Sequence, residues 1–188
     1  MDQVELLRKI STTCDKLAIP YVVVGSMASS IYGEPRFTND IDVVLDLQAP
    51  QIEAFCLEFP DGEYYLSRPA VKSAVRKRFQ FNIIHTLSGL KIDCIVASRD
   101  PFDENQLTRG QRWPAGAAGD VRFAAPEDVI IKKMDYFRLG ESEKHMRDIA
   151  GMLKQQGDVI DRQYIRQWAV RKGLVEIWDA ILARLAAG

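Results

Sequence analysis

Asp40-Ile41-Asp42-Val43-Val44-Leu45-Asp46-Leu47 decides the fold of this chain. Ile41, Val43, Leu45 and Leu47 fall on one side, and Asp40, Asp42, Val44 and Asp46 on the other. That alternation is the period of a β-strand with one buried face. Two carboxylates two residues apart on a strand point the same way and repel unless a cation lies between them. Asp40 and Asp42 therefore read as ligands of Mg²⁺, which takes one or two carboxylates and keeps positions for phosphate oxygens. The competing reading is a solvated polar face on an edge strand.

Working upstream, Tyr21-Val22-Val23-Val24 is a short apolar run after Pro20 and predicts a buried strand. It stops at Gly25-Ser26, and a short helix over 27–32 ends at Gly33. A strand that ends in Gly-Ser at a helix start offers unpaired backbone N–H groups to a phosphate. Glycine permits the tight turn, and the serine hydroxyl adds a donor. An ordinary strand-to-helix turn has the same look. Residues 2–18 have the spacing of an amphipathic helix.

Downstream, a helix is expected over 50–59, and two strands over 79–87 and 90–96 flank Ser88-Gly89 as a two-residue hairpin turn. In the second strand Leu90, Ile92, Cys94 and Val96 share a face, while Lys91, Asp93 and Ile95 take the other. Asp93 alone reads as a structural acceptor. Beside the Asp40 strand it would complete three carboxylates able to hold two metal ions, with Asp93 placed as general base for an incoming hydroxyl. Residues 99–120, rich in Gly, Pro and Asp, read as a connection with room for one short element. From Pro126 on the pattern is helical, with breaks at Gly140, Gly157 and Gly173. The fold class is α/β (α+β): a small mixed sheet flanked by helices over 1–120, followed by a helical region over 121–188.

Composition is that of a soluble globular chain. The chain has 188 residues, 47% hydrophobic and 27% charged, with a net charge of −1. Such a balance creates no global field for nucleic acid. No apolar stretch approaches the roughly 18 residues of a membrane span. The N-terminus lacks signal-peptide character, and Cys14, Cys56 and Cys94 contain no CxxC pair. They read as buried reduced thiols in a cytoplasmic protein. A basic group, Lys72, Arg76, Lys77 and Arg78, reads as a solvated face, with a polyanionic acceptor such as tRNA as the alternative. Trp113, Trp168 and Trp178 read as packing residues and His145 as a helix-surface residue.

The order of Gly25-Ser26, then Asp40-Ile41-Asp42, then Lys91-Ile92-Asp93 resembles the DNA polymerase β-like nucleotidyltransferase superfamily. The Arg36-x-Thr38-x-Asp40-x-Asp42 spacing, the helix start at Pro126-Glu127-Asp128 and the later Lys144-His145-x-Arg147-Asp148-Ile149 resemble the group of AbiEii-type toxins and small antibiotic nucleotidyltransferases. The resemblance covers roughly residues 5–155. It implies a nucleotidyltransferase core that uses Mg²⁺ (or Mn²⁺) to move a nucleoside monophosphate from an NTP to a hydroxyl of RNA, protein or a small molecule. Asp40, Asp42 and Asp93 would be catalytic and metal-binding. Gly25, Ser26, Arg36, Thr38, Lys133 and Asp148 would bind nucleotide, with Lys133 neutralising the triphosphate. Lys132 and Lys133 are adjacent, about 100° apart on a helix, so only one of them faces a site. A toxin of this group would have an antitoxin partner. Two alternatives stay open: a non-catalytic NTP-binding module of the same fold, and a metal-dependent glycosyltransferase. The latter needs a longer nucleotide-binding unit before the DxD than the 39 residues present.

Overall fold

The computed structural model describes residues 1–35, 38–140 and 142–187. Its chain divides into two compact units. The first comprises Met1–Val24 and Phe37–Ala124, and the second comprises Gly25–Arg36 and Ala125–Gly188. The division is discontinuous, unlike the single boundary near residue 120 expected from composition. The helix after β1 belongs with the C-terminal helices, against which it packs.

The first unit holds all seven strands found among the described residues: β1 (Tyr21–Val23), β2 (Asp40–Leu45), β3 (Tyr64–Tyr65), β4 (Gln80–His85), β5 (Lys91–Val96), β6 (Gln111–Pro114) and β7 (Asp120–Phe123). They form one mixed sheet in the order β3-β4-β5-β2-β1-β7-β6. β2 runs parallel to β5, β1 pairs antiparallel with β2, and β1 and β7 are parallel at Val23↔Phe123. The first unit also contains α1 (Gln3–Lys16), α3 (Ile52–Leu57), α4 (Arg68–Lys77) and α5 (Pro101–Arg109). α1 opens on an Asp2–Glu5 capping box, which satisfies two otherwise orphaned N–H groups.

Period-2 patterning becomes a core on one sheet face. Ile41, Val43 and Leu45 of β2, Ile92, Cys94 and Val96 of β5, and Phe81 and Ile83 of β4 are all buried. Phe55 of α3 meets Phe81 edge-on at 5.9 Å, Phe59 meets Tyr64 edge-on at 5.3 Å, and Phe55 and Phe59 are tilted at 47° to each other, 5.3 Å apart. Edge-to-face pairs of this kind add about 0.5–1.5 kcal/mol beyond their buried area.

Two expectations need correction. The stretch 99–120 is more than a connection with one short element, because it supplies α5, β6 and the start of β7. β6 and β7 pair with each other, and β7 pairs with β1 far away in sequence, so no local pattern announced them. The hairpin turn is longer than Ser88-Gly89: β4 ends at His85, whose N–H donates to Leu90 O, leaving 86–89 as the loop. The basic group keeps a solvated face, with Lys72, Arg76 and Lys77 exposed. Arg68 and Lys72 both pair with Glu53 (2.9 and 2.8 Å), and Arg78 donates to Asp46 at 2.7 Å and to Ala97 O.

The second unit is helical: α2 (Gly25–Tyr32), α6 (Pro126–Gly140), α7 (Glu143–Gln156), α8 (Arg162–Lys172) and α9 (Val175–Ala187). α2 packs on α6 and α7. Gly33 follows α2 where a Cβ would lie 2.9 Å from Met152 N of α7, so only glycine allows this approach. Trp168, Leu174, Trp178 and Ile181 are buried, so the apolar C-terminal helix is used within its own unit. Tyr164 donates to Asp128 at 2.7 Å, and Glu127 accepts from the Asp161 N–H. Among the described residues no helix is long and apolar enough to cross a membrane.

Candidate active site

The parallel β2–β5 ladder has the register Asp40↔Lys91, Asp42↔Asp93. Strand neighbours lie about 4.8 Å apart and alternate residues share a face. Four chemically active side chains therefore form a two-by-two array opposite the apolar face, with three carboxylates and one ammonium. All four residues are half-buried while their strand neighbours Ile41 and Ile92 are fully buried. Asn82 of β4 is the next residue in the Asp42–Asp93 row.

Lys91 Nζ lies 2.8 Å from Asp93 Oδ2 and 3.7 Å from Asp40 Oδ1. Its side chain is only 30% exposed. The bond to Asp93, reinforced by the charges of Asp93, Asp40 and Asp42, holds the ammonium's pKa above the usual lysine range despite partial burial. The other oxygen of Asp93, Oδ1, is buried and has no hydrogen-bond partner among the described residues. A buried carboxylate oxygen left so costs about 1–3 kcal/mol or more, and a cation is what its chemistry fits. As they stand, no three His, Cys, Asp or Glu side chains among the described residues are gathered to chelate an ion. The ammonium takes the gap instead.

Thr38 steadies the entry to β2: its hydroxyl lies 3.4 Å from Asp40 O, and its carbonyl accepts from Gln3 Nε2 at 2.9 Å. Arg36 lies outside the described residues. The N–H of Val24 donates to Asp42 O at 2.8 Å, which carries the β1–β2 pairing to the residue before Gly25. Gly25 has φ +64°, the left-handed backbone that the expected tight turn requires. Ser26 occupies the first turn of α2, and its carbonyl accepts from Ser29 and Ser30 hydroxyls at 3.0 and 2.9 Å.

In the second unit, α6 turns Lys133 inward and leaves Lys132 only half-buried. Lys133 Nζ bonds Asp148 Oδ2 of α7 at 2.6 Å, with the two side chains 4% and 10% exposed. Beside Asp148 a cavity of about 270 Å³ is lined by Ser29, Glu34, Pro35, Lys144, Arg147 and Asp148. The register therefore unites Asp40, Asp42 and Asp93, and α6 and α7 unite Lys133 with Asp148. Two features escaped the sequence reading. One is Lys91 as the partner of Asp93, whose signal was the two-residue spacing on one strand face. The other is the cavity beside Asp148 that Lys144 and Arg147 line, signalled only by Lys144 standing one helical turn before Asp148. His145 lies against Tyr136, ring centroids 5.8 Å apart and nearly parallel, and Cys14, Cys56 and Cys94 are all buried.

No family model matches the chain, and no curated protein matches it by sequence. Solved structures do match. An antigenic nucleotidyltransferase-like protein from Paracoccidioides brasiliensis is 16% identical over 98% of this chain and 92% of that one, with a TM-score of 0.58. ANT(2'')-Ia in complex with adenylyl-2''-tobramycin is 14% identical over 97% of this chain and 98% of that one, with a TM-score of 0.56. A CCA-adding enzyme in complex with CTP is 15% identical over 89% of this chain and 47% of that one, with a TM-score of 0.41. A mixed sheet flanked by helices is thus shared across nearly the full length of the first two. This chain has the nucleotidyltransferase fold.

Proposed function

We propose that the chain is a nucleotidyltransferase that moves a nucleoside monophosphate from an NTP to a hydroxyl acceptor. The observation that carries this reading is the in-register pairing of β2 with β5, which sets Asp42 beside Asp93 and Asp40 on the same face. Asp40, Asp42 and Asp93 are the residues that would hold Mg²⁺ or Mn²⁺, and the buried unbonded Asp93 Oδ1 fits that use. Bound there, such an ion would neutralise phosphate charge and favour the acceptor's attack. The acceptor oxygen bonds the α-phosphorus, the bond to the bridging oxygen breaks, and pyrophosphate leaves. The hydroxyl proton passes to Asp93. Gly25 and Ser26, with Lys133 and Asp148, are assigned to the nucleotide by their resemblance to the superfamily motif, as are Arg36 and Thr38.

The adenylyl-2''-tobramycin held by one similar structure makes a small hydroxylated molecule a fitting acceptor class. An RNA acceptor such as tRNA rests on the basic group of Lys72, Arg76, Lys77 and Arg78, and a toxin role with an antitoxin partner on the motif resemblance. One observation favours a second reading: the Lys91 ammonium in the cation position suits an NTP-binding module without turnover.

The deciding experiment incubates the chain with each α-³²P-labelled NTP, Mg²⁺ and total cell extract, then separates RNA, protein and small molecules. Label should appear in one fraction and vanish with Asp42→Ala, whose circular dichroism stays that of the wild type. Absence of label with all four NTPs, alongside thermal stabilisation by an NTP, would establish the non-catalytic module instead.

A further inference from the structure

The array on the β2–β5 face already contains a cation. Lys91 reaches Asp93 Oδ2 at 2.8 Å and Asp40 Oδ1 at 3.7 Å, so its ammonium lies between the two carboxylates that the proposed reaction gives to a metal ion. β5 is paired on both sides, with β2 and β4, so the backbone under Lys91 is fixed. Only the side chain is able to move. Its four-carbon stem is flexible, and its 30% exposure leaves it a way out toward solvent.

A divalent ion on Asp93 sits about 2.0–2.1 Å from the carboxylate oxygen for Mg²⁺. An ammonium 2.8 Å from one oxygen of that carboxylate would then stand only a few ångströms from a doubly charged ion, close enough for like charges to repel strongly in a partly buried site. The two cations exclude one another from the Asp40–Asp93 gap.

We propose that Lys91 is the resident counter-ion of this acidic face, and that a divalent ion enters the gap only by displacing its ammonium from Asp93. The proposal rests on the reading of Asp40, Asp42 and Asp93 as the metal-binding carboxylates. Lys91 is here a positioning residue. It bridges Asp40 and Asp93 without an ion and sets how tightly an ion is held.

The test measures Mn²⁺ binding to the full chain, without nucleotide, from the electron paramagnetic resonance signal of free Mn²⁺. Lys91→Met should bind Mn²⁺ about tenfold more tightly than the wild type or better, since a unit charge near the ion is removed. Lys91→Arg keeps the charge and forks onto Asp93, so it should bind no more tightly than the wild type. Lys77→Met changes net charge equally at an exposed position of α4 and should leave the affinity within about twofold. Lys91→Gln repeats the measurement with a polar neutral side chain should methionine unsettle the strand.

Equal affinities for wild type, Lys91→Met and Lys91→Gln overturn the proposal while leaving the metal reading intact. A gain in Lys77→Met as large as that in Lys91→Met also overturns it, because net charge alone would then be responsible. Mn²⁺ binding by none of the proteins overturns the proposal together with the metal reading.

Discussion

Lys133→Met tests the helical unit most directly. Lys133 and Asp148 are joined at 2.6 Å with side-chain exposures of 4% and 10%, so solvent cannot replace the ammonium when it is removed. Breaking one side of a buried ion pair costs about 3–5 kcal/mol, because the remaining desolvated charge loses its 2.6 Å bond to the opposite charge. For a chain of this size 1 kcal/mol shifts Tm by about 2–4 °C. Lys133→Met should therefore lower Tm by roughly 6–20 °C, read by circular dichroism at 222 nm. Replacing both partners, Lys133→Met with Asp148→Leu, removes both buried charges and should recover most of the loss. The double variant also separates stability from function: if it folds like the wild type but no longer binds labelled NTP, the pair contacts nucleotide as well as packing the unit. A Tm for Lys133→Met within 2 °C of the wild type would refute the reasoning, since the pair would then be worth less than about 1 kcal/mol.

Other predictions concern the thiols and a helix contact. Burial, aided by the charge of Asp15, pushes the Cys14 thiol from its ordinary 9.0 up to about 12, and burial pushes Cys94 well above its ordinary value. Both should resist a thiol reagent such as DTNB at pH 8 in the folded protein and react on unfolding in urea. The unfolded thiol loses its proton near pH 9 while folded Cys14 keeps it to about 12, so this contribution to stability is full below pH 9 and declines between 9 and 12. Urea midpoints should follow that course, and a Cys14→Ala variant whose slope above pH 9 is as steep as the wild type's contradicts it. Gly33→Ala places a Cβ 2.9 Å from Met152 N and 3.1 Å from Gly151 C, both backbone atoms that cannot swing aside. It should cost about 1–3 kcal/mol in urea unfolding. Gly140→Ala, with nothing within 4 Å of the new Cβ, serves as the comparison, and equal effects at the two positions would contradict the close approach.

Alternation in Asp40–Leu47 was enough to predict β2 and the apolar face it presents, because side-chain direction along a strand depends only on position within it. The turn at Gly25 was equally local: a positive φ at a strand end calls for glycine, and glycine stands there. Helices of the last third followed from spacing and from their glycine breaks. The motif order was legible as well, and with it the choice of Asp40, Asp42 and Asp93.

Other features depend on pairing between distant segments, which no local pattern encodes. β6 and β7 exist as strands because each completes the other's hydrogen bonds and β7 adds to β1, about a hundred residues earlier in the chain. Their segment, read alone, has the composition of a loop. Helical phase alone left Lys132 and Lys133 equivalent, and the packing of α6 against α7 turned Lys133 toward Asp148. Residue order brought Asp93 to the right kind of strand but said nothing of its register against β2. The register set Asp42 beside Asp93 and put Lys91 opposite Asp40. The sequence by itself determined which side chains are available to hold a cation. The tertiary structure decided that a cation of the chain's own stands among them, because only the pairing of β2 with β5 brings the Lys91 ammonium between Asp40 and Asp93.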